Sequence, residues 1–235
     1  MQRILYIEDD DSLRGAVRLV LENAGYEVVA QPDGARLLEA LSRGEEVGCH
    51  LILLDMGLPK MDGTALLLRV RERSCVPVLA LSGQDDELSV IDALANGCDD
   101  YLTKPVRPAL LLAKVAALLR RARFEGEGDG AKRPRVLELG NVRCGKGECR
   151  IGGLPVALTP TELELLRYYL ARPDKTVPRS QLLLDVWGLP DGVESRTVDE
   201  MTRRLRRKLE SAGASVSLRS VWGVGYRLEG PCEKT

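Results

Sequence analysis

Five short apolar runs, each followed by a longer stretch with helical periodicity, fill the first half of this chain, and that alternation most narrows its fold. The runs are Ile4–Ile7, Glu27–Ala30, Leu51–Leu54, Val78–Leu81 and Asp100–Leu102. Helical patterns occupy Leu13–Ala24, Ala35–Ser42, Thr64–Arg73, Asp86–Asn96 and Pro108–Arg121, with turn signals such as Pro32-Asp33-Gly34 and Asn96-Gly97 between units. Strands that return through helices pair in parallel, and such a sheet carries helices on both faces. Right-handed crossovers leave few windings, so the expectation is an α/β, flavodoxin-like (βα)5 domain of strand order 2-1-3-4-5.

A parallel sheet gathers the carboxyl ends of its strands along one edge, where ligands bind. Here the first strand ends in Glu8-Asp9-Asp10, the third in Asp55, the fourth in Ser82 and the fifth near Lys104. Clustered carboxylates repel one another and raise each other's pKa unless a cation intervenes. Oxygen ligands with few protein donors and several retained waters suit Mg2+.

Past Arg121 the pattern changes. Arg121–Pro134 is rich in Gly and charge and reads as a flexible linker, placed at 122–134 between domains at 1–121 and 135–230. The charge balance divides there as well. Residues 1–120 hold 13 Lys/Arg against 19 Asp/Glu, and residues 131–235 hold 19 against 13. Such asymmetry suits a cation in the first half and nucleic acid in the second. Short strands around glycine turns then lead to helices near Thr161–Arg172, Arg179–Trp187 and Ser195–Glu210, and to a closing hairpin of Val216–Ser220 and Tyr226–Glu229. Thr159-Pro160-Thr161-Glu162 has the spacing of a capping box with Pro in the first turn, and Leu163, Leu166, Tyr169 and Leu170 then face inward.

In Ser195–Glu210, Val198, Met201, Leu205 and Leu209 make one apolar stripe at 100° per residue, with Arg196, Glu200, Arg203 and Arg207 opposite and Arg204 at their flank. A buried stripe with a guanidinium-rich back suits a helix lying in a major groove, where Arg neutralises phosphates and reaches base edges. No apolar run is long enough to span a membrane, and no signal-peptide pattern opens the chain, so the expected location is cytoplasmic. Cys49, Cys75, Cys98, Cys144, Cys149 and Cys232 are then expected as reduced thiols. Cys144 and Cys149 have a spacing that can set them face to face across a hairpin, whereas a metal site would need further ligands, and the one histidine, His50, is remote.

Three segments of the first half, Ile4-Leu5-Tyr6-Ile7-Glu8-Asp9-Asp10, Leu53-Leu54-Asp55-Met56-Gly57-Leu58-Pro59-Lys60-Met61-Asp62-Gly63 and Asp99-Asp100-Tyr101-Leu102-Thr103-Lys104-Pro105, resemble the receiver domain of two-component response regulators. The resemblance implies that Asp55 accepts a phosphoryl group from a sensor histidine kinase. It implies that Asp9, Asp55 and the Gly57 carbonyl hold Mg2+ with Glu8 reaching it through water, and that Lys104 binds a phosphoryl oxygen. Ser82 and Tyr101 would form the switch. Gly57 and Gln84 lie where side chains screen the phosphoryl group from water; glycine there implies ready hydrolysis. The face of the fourth and fifth helices would form a homodimer, and its positions here are Val90, Leu94, Asp100, Leu110 and Lys114. Because Ala109–Leu119 is apolar almost all round, that dimer is expected to be unusually hydrophobic and less dependent on phosphate.

Arg196-Thr197-Val198-Asp199, Leu205-Arg206-Arg207-Lys208-Leu209 and Ser220-Val221-Trp222-Gly223-Val224-Gly225-Tyr226 resemble the OmpR/PhoB-type winged-helix effector, a small α+β domain, over residues 136–229. The resemblance implies a recognition helix at Ser195–Glu210 and a wing at Gly223–Gly225 against the minor groove. Promoter contacts would come from Arg196, Thr197, Glu200, Arg203, Arg204, Arg207, Arg219 and Trp222, with the loop Gly188–Glu194 facing RNA polymerase. Such a protein is a transcriptional regulator rather than an enzyme, catalysing only its own modification. The competing class, an aspartyl-nucleophile phosphohydrolase, needs a second aspartate soon after the nucleophile, and two positions after Asp55 stands Gly57. A DNA-binding protein without phosphate control would not need the set Glu8, Asp9, Asp55, Ser82 and Lys104.

Overall fold

Strands β1 (Arg3–Ile7), β2 (Glu27–Gln31), β3 (Leu51–Asp55), β4 (Val78–Ser82) and β5 (Asp100–Thr103) pair in parallel in the order β2-β1-β3-β4-β5. The structure is a computed structural model that describes residues 1–59, 61–83, 87–122, 136–145, 147–188 and 196–231. Successive residues of a strand point to opposite faces, and each face of this sheet has its own core. Leu5, Ile7, Ile52, Leu54, Val78 and Ala80 meet α2 (Ala35–Ser42), α3 (Gly63–Arg73) and α4 (Glu87–Asn96). Ile4, Tyr6, Leu51, Leu53, Leu79 and Leu81 meet α1 (Asp11–Asn23) and α5 (Pro108–Ala122). Burial on both sides explains why these strands read as unbroken apolar runs. All five residues of β3 are buried, Asp55 among them.

The chain divides into two compact units, Met1–Leu119 and Arg120–Thr235. The second opens with an antiparallel four-stranded sheet, β6 (Leu137–Leu139), β7 (Val142–Cys144), β8 (Cys149–Ile151) and β9 (Leu154–Val156). Then follow α6 (Pro160–Leu170), β10 (Val177–Pro178), α7 (Arg179–Leu182) with a π-helical turn at Leu183–Trp187, and α8 (Thr197–Ser211). A hairpin of β11 (Ser217–Val221) and β12 (Gly225–Glu229) completes the three-stranded sheet β10-β12-β11. Gly225 is required there, because a β-carbon would overlap the carbonyl of Val177. The expected capping box is present: Glu162 N–H donates to Thr159 Oγ1 while Thr159 N–H donates to the Glu162 carboxylate. The architecture is thus a flavodoxin-like domain followed by a winged-helix-like one, and among the described residues no helix is long and apolar enough to cross a membrane. The segment expected to be a linker lies outside the described residues, apart from its first position.

Candidate functional site

At the carboxyl edge of the parallel sheet, Lys104 Nζ lies 2.9 Å from the Glu8 carboxylate and 2.9 Å from Asp55 Oδ2. Glu8 is fully buried and Asp55 is 3% exposed, whereas Asp9 is open to solvent. Carboxylate oxygens of Glu8, Asp9 and Asp55 all lie within 4.8 Å of one another. Three carboxylates against one ammonium leave a formal charge of −2, which a divalent cation would balance. Burial, joined by the Asp55 charge, pushes the Glu8 carboxyl above its ordinary range, and the Lys104 hydrogen bond opposes this. Burial alone would favour neutral Lys104, but its two carboxylate partners hold the ammonium above its usual value.

Ser82 Oγ is buried and has no hydrogen-bond partner among the described residues. A hydroxyl left so costs free energy unless a ligand group meets it. Asp55 Oδ1 accepts from Gly57 N–H at 3.1 Å, and a β-carbon on Gly57 would sit 3.6 Å from that oxygen, an ordinary contact. Residue 57 therefore borders the carboxylate, and glycine leaves it uncovered. Asp10, grouped with its neighbours by the sequence, serves the helix instead. It caps α1 by accepting from Ser12 N–H at 2.8 Å and Leu13 N–H at 2.9 Å. Arg14, one turn into α1, donates to the carbonyls of Glu8 at 2.7 Å and Asp9 at 3.1 Å and so fixes the acidic loop. Sequence reasoning missed Arg14, although its place in the first turn after the acids was visible.

Tyr101 is half-buried against the core facing α3 and α4, with Lys114 Nζ 5.7 Å from its ring centre. Of the positions expected on a dimer face, several are enclosed within the chain. Val90 and Leu94 are 5% and 0% exposed and belong to that core, packed against their own sheet. Asp100 and Lys114 are paired within the chain at 2.7 Å, both buried. Leu110 is half-buried, and no large apolar side chain of α5 is exposed; Ala109, Ala113 and Ala116 carry its open side. The apolar surplus read from the sequence is therefore core plus alanine. Gln84 lies outside the described residues.

In the second unit, α8 buries Val198, Met201, Leu205 and Leu209 to 2% exposure or less, as its stripe requires. Arg196, Arg203 and Arg207 are exposed on its back, and half-buried Glu200 pairs with Arg203 at 2.7 Å. Two expected DNA contacts are turned inward instead. Thr197 is fully buried, and Arg204, 7% exposed, donates to the buried Glu162 carboxylate of α6 at 2.6 Å. Lys208 Nζ reaches the other Glu162 oxygen at 2.7 Å. Burial works to raise the Glu162 pKa, but Arg204 and Lys208 prevail and hold it below the ordinary carboxylate range. On the opposite flank Arg206 donates to the Leu218 carbonyl at 2.7 Å and to Ser220 Oγ at 3.1 Å, tying α8 to the hairpin. At the hairpin turn Trp222 is 97% exposed, beside exposed Val224; Arg219 is exposed 3.6 Å from Glu229. Ser195 and residues 189–194 of the expected polymerase-facing loop lie outside the described residues.

Arg179 and Tyr226 both bond Asp199 at the start of α8, a cluster the sequence did not reveal because its members lie on three separate elements. Cys144 and Cys149 do face each other, paired as a disulfide, whereas Cys49 is a free thiol.

Known proteins share both halves of this arrangement. Residues 4–116 match the family described as response regulator receiver domain, and residues 153–228 match transcriptional regulatory protein, C terminal. The transcriptional regulatory protein CseB of Streptomyces coelicolor is 38% identical over 234 residues, covering 96% of this chain and 97% of that protein. The sensory transduction protein RegX3 of Mycolicibacterium smegmatis is 35% identical over 233 residues, covering 98% and 100%. A solved structure of a cysteine-to-serine mutant of RitR superposes with a TM-score of 0.74 at 27% identity, covering 98% of this chain and 100% of that one.

Proposed function

Because the chain belongs to the response regulators of two-component systems, with a receiver domain followed by a DNA-binding domain that regulates transcription, we propose that phosphorylation of Asp55 by a sensor histidine kinase controls its binding to promoter DNA. The observation that carries this reading is the clasp of Lys104 between Glu8 and Asp55 beside the Ser82 hydroxyl, which has no partner among the described residues. A carboxylate is a weak nucleophile, so phosphoryl transfer to it depends on position and on neutralising the equatorial oxygens. β3 holds the Asp55 carboxylate at the sheet edge with Oδ1 tied to Gly57 N–H. Lys104 is already within ion-pair reach and, once Asp55 is phosphorylated to the acyl phosphate, its ammonium moves its bond to a phosphoryl oxygen.

Glu8, Asp9 and Asp55 fit Mg2+ by donor type, spacing and the charge they leave unbalanced, and the Gly57 carbonyl would be a further oxygen ligand of the same hard type. When bound, the cation supplies the charge neutralisation that lets a phosphoryl group approach this acidic edge. The Ser82 hydroxyl gains its hydrogen bond only in the phosphorylated state, so modification biases a two-state equilibrium in which Tyr101 turns inward. The chemistry is the protein's own modification and reversal, without turnover of a separate substrate.

In the effector domain the exposed Arg196, Arg203 and Arg207 face phosphates and bases, Glu200 accepts from cytosine N4, and Arg219 and Trp222 carry the wing. Arg204 and Thr197 are not part of that surface. The phosphorylated protein binds DNA as a homodimer and engages RNA polymerase through the loop after the π-helical turn. Val90 and Leu94 are enclosed and contribute no apolar surface to the α4–α5 face, so its association depends on phosphate more strictly than the bare sequence suggests.

The test is labelling with a small phosphoryl donor such as acetyl phosphate and Mg2+, read on phosphate-affinity gels. Wild type shifts, chelation of Mg2+ prevents the shift, and Asp55→Asn abolishes it. Labelling of Asp55→Asn at the wild-type level overturns the assignment.

A further inference from the structure

The two cysteines that the regulatory reading leaves unused occupy a defined place in the second unit. β7 and β8 pair in antiparallel register with Cys144 opposite Cys149, and the Cα atoms are 4.2 Å apart. Gly145 N–H donates to the Glu148 carbonyl at 2.9 Å, which makes the adjoining Cys144–Cys149 pair a non-hydrogen-bonded one, the position where opposed side chains approach most closely. Both cysteines project to the buried face, at 0% and 3% exposure, next to the Val142–Ile151 pair. The hairpin is also held from behind: Arg167 of α6 donates to the carbonyls of Cys144 at 3.0 Å and Gly145 at 2.6 Å. Two cysteines serving only as small apolar filler would have no reason to stand opposite each other on adjacent strands.

We propose that Cys144 and Cys149 form a reversible dithiol–disulfide site, a modification site of the effector domain that responds to hydroperoxides. Cys149, the one with any exposure, attacks first: its thiolate sulfur bonds to one peroxide oxygen, the O–O bond breaks, and the departing hydroxide takes a proton to become water. The Cys144 sulfur then bonds to the resulting sulfenic sulfur, the S–O bond breaks, and the second hydroxide leaves with the Cys144 proton as water. The two thiols lose two electrons and two protons, and one peroxide becomes two waters. Reduction by a dithiol reverses the sequence by exchange. The backbone already holds the Cα atoms close to cross-linking distance, so closure locks the hairpin without rearranging it. The other described thiols lack this arrangement: Cys98 is fully enclosed, and burial pushes the Cys49 thiol up to about 11.

The position of Lys146 makes the test direct, because trypsin cuts between the two cysteines. The reduced full-length protein is treated with hydrogen peroxide, quenched with catalase, alkylated and digested. The expected product is the peptide Cys144–Lys146 joined to Gly147–Arg150, formed roughly ten times faster than alkylation is lost at Cys49, Cys75 or Cys98 and released by dithiothreitol. Cys149→Ser abolishes the joined peptides and leaves Cys144 fully alkylated after peroxide. The proposal is overturned if Cys144 and Cys149 stay alkylated without a joined product. It fails equally if the peptides join as fast in urea as in the native protein, or if Cys144 is oxidised at the same rate in Cys149→Ser.

Discussion

Replacing Glu162 by Gln tests whether α8 is held by a buried charge rather than by its apolar stripe alone. The carboxylate is fully enclosed, the Arg204 side chain is 8% exposed, and Lys208 is 33% exposed. Removing one partner of a buried pair costs about 3–5 kcal/mol, because the other charge stays buried without compensation. Lys208 adds little, since it can turn to solvent, and the glutamine amide still accepts from Arg204, so about 3 kcal/mol is expected. With a urea dependence of about 1–3 kcal/mol per molar, the unfolding midpoint of the second unit falls by roughly 1–3 M. Both tryptophans, Trp187 and Trp222, lie in that unit, so tryptophan fluorescence of the whole protein reports on it selectively. Glu162→Met with Arg204→Met should recover most of the loss, because a buried pair replaced by apolar groups of similar volume is often neutral. The pH dependence has a fixed sign. The folded carboxyl sits below its unfolded value, so its contribution is complete above the unfolded pKa of about 4.3 and disappears as pH falls through the folded value. Wild type should therefore lose stability below about pH 4, and Glu162→Gln should lose less there. A midpoint shift below about 0.5 M, or a double variant as weak as the summed singles, would refute the reasoning.

Four other outcomes follow from the geometry. Gly57→Met puts a side chain beside the Asp55 carboxylate and should lengthen the acyl-phosphate lifetime several-fold, measured by loss of the phosphate-affinity shift; a wild-type lifetime of many hours would remove the premise. Arg203→Ala and Arg207→Ala should each weaken promoter binding and, as phosphate contacts, lower the slope of log affinity against log salt by about 1. Trp222→Ala should weaken binding with an unchanged slope, because the indole carries no charge. Arg204→Ala should show a lowered urea midpoint as its primary defect; loss of DNA affinity at full stability would return Arg204 to the exposed face.

The receiver half was legible because its physics is local. Strands buried on both faces announce themselves as apolar runs, and parallel pairing then sends Glu8, Asp55, Ser82 and Lys104 to one edge whatever the details. Division of labour within Glu8-Asp9-Asp10 was not legible. Only the capping bonds to Ser12 and Leu13 separate Asp10 from its neighbours. The apolar character of α4 and α5 was visible, but not its destination. That one sheet face encloses Val90 and Leu94 and the other Leu111, Val115 and Leu118 is a tertiary fact.

The same limit governs α8, and it explains which arginines remain exposed. At 100° per residue the helix has two flanks beside its apolar stripe. Thr197, Arg204 and Lys208 share one, and Arg206 lies on the other. A stripe alone leaves both flanks to solvent, so all the arginines appear equally available. The fold closes one flank with Glu162, 42 residues before Arg204, and the other with the β11–β12 hairpin through Leu218 and Ser220. What stays open is the narrow back carrying Arg196, Arg203 and Arg207. Clamped on both sides, that back can present guanidinium groups in a fixed register with the wing. A helix held only by its apolar stripe would be freer to roll and lose that register, so under the proposed function the buried glutamate would support DNA reading by holding the helix rather than by contact.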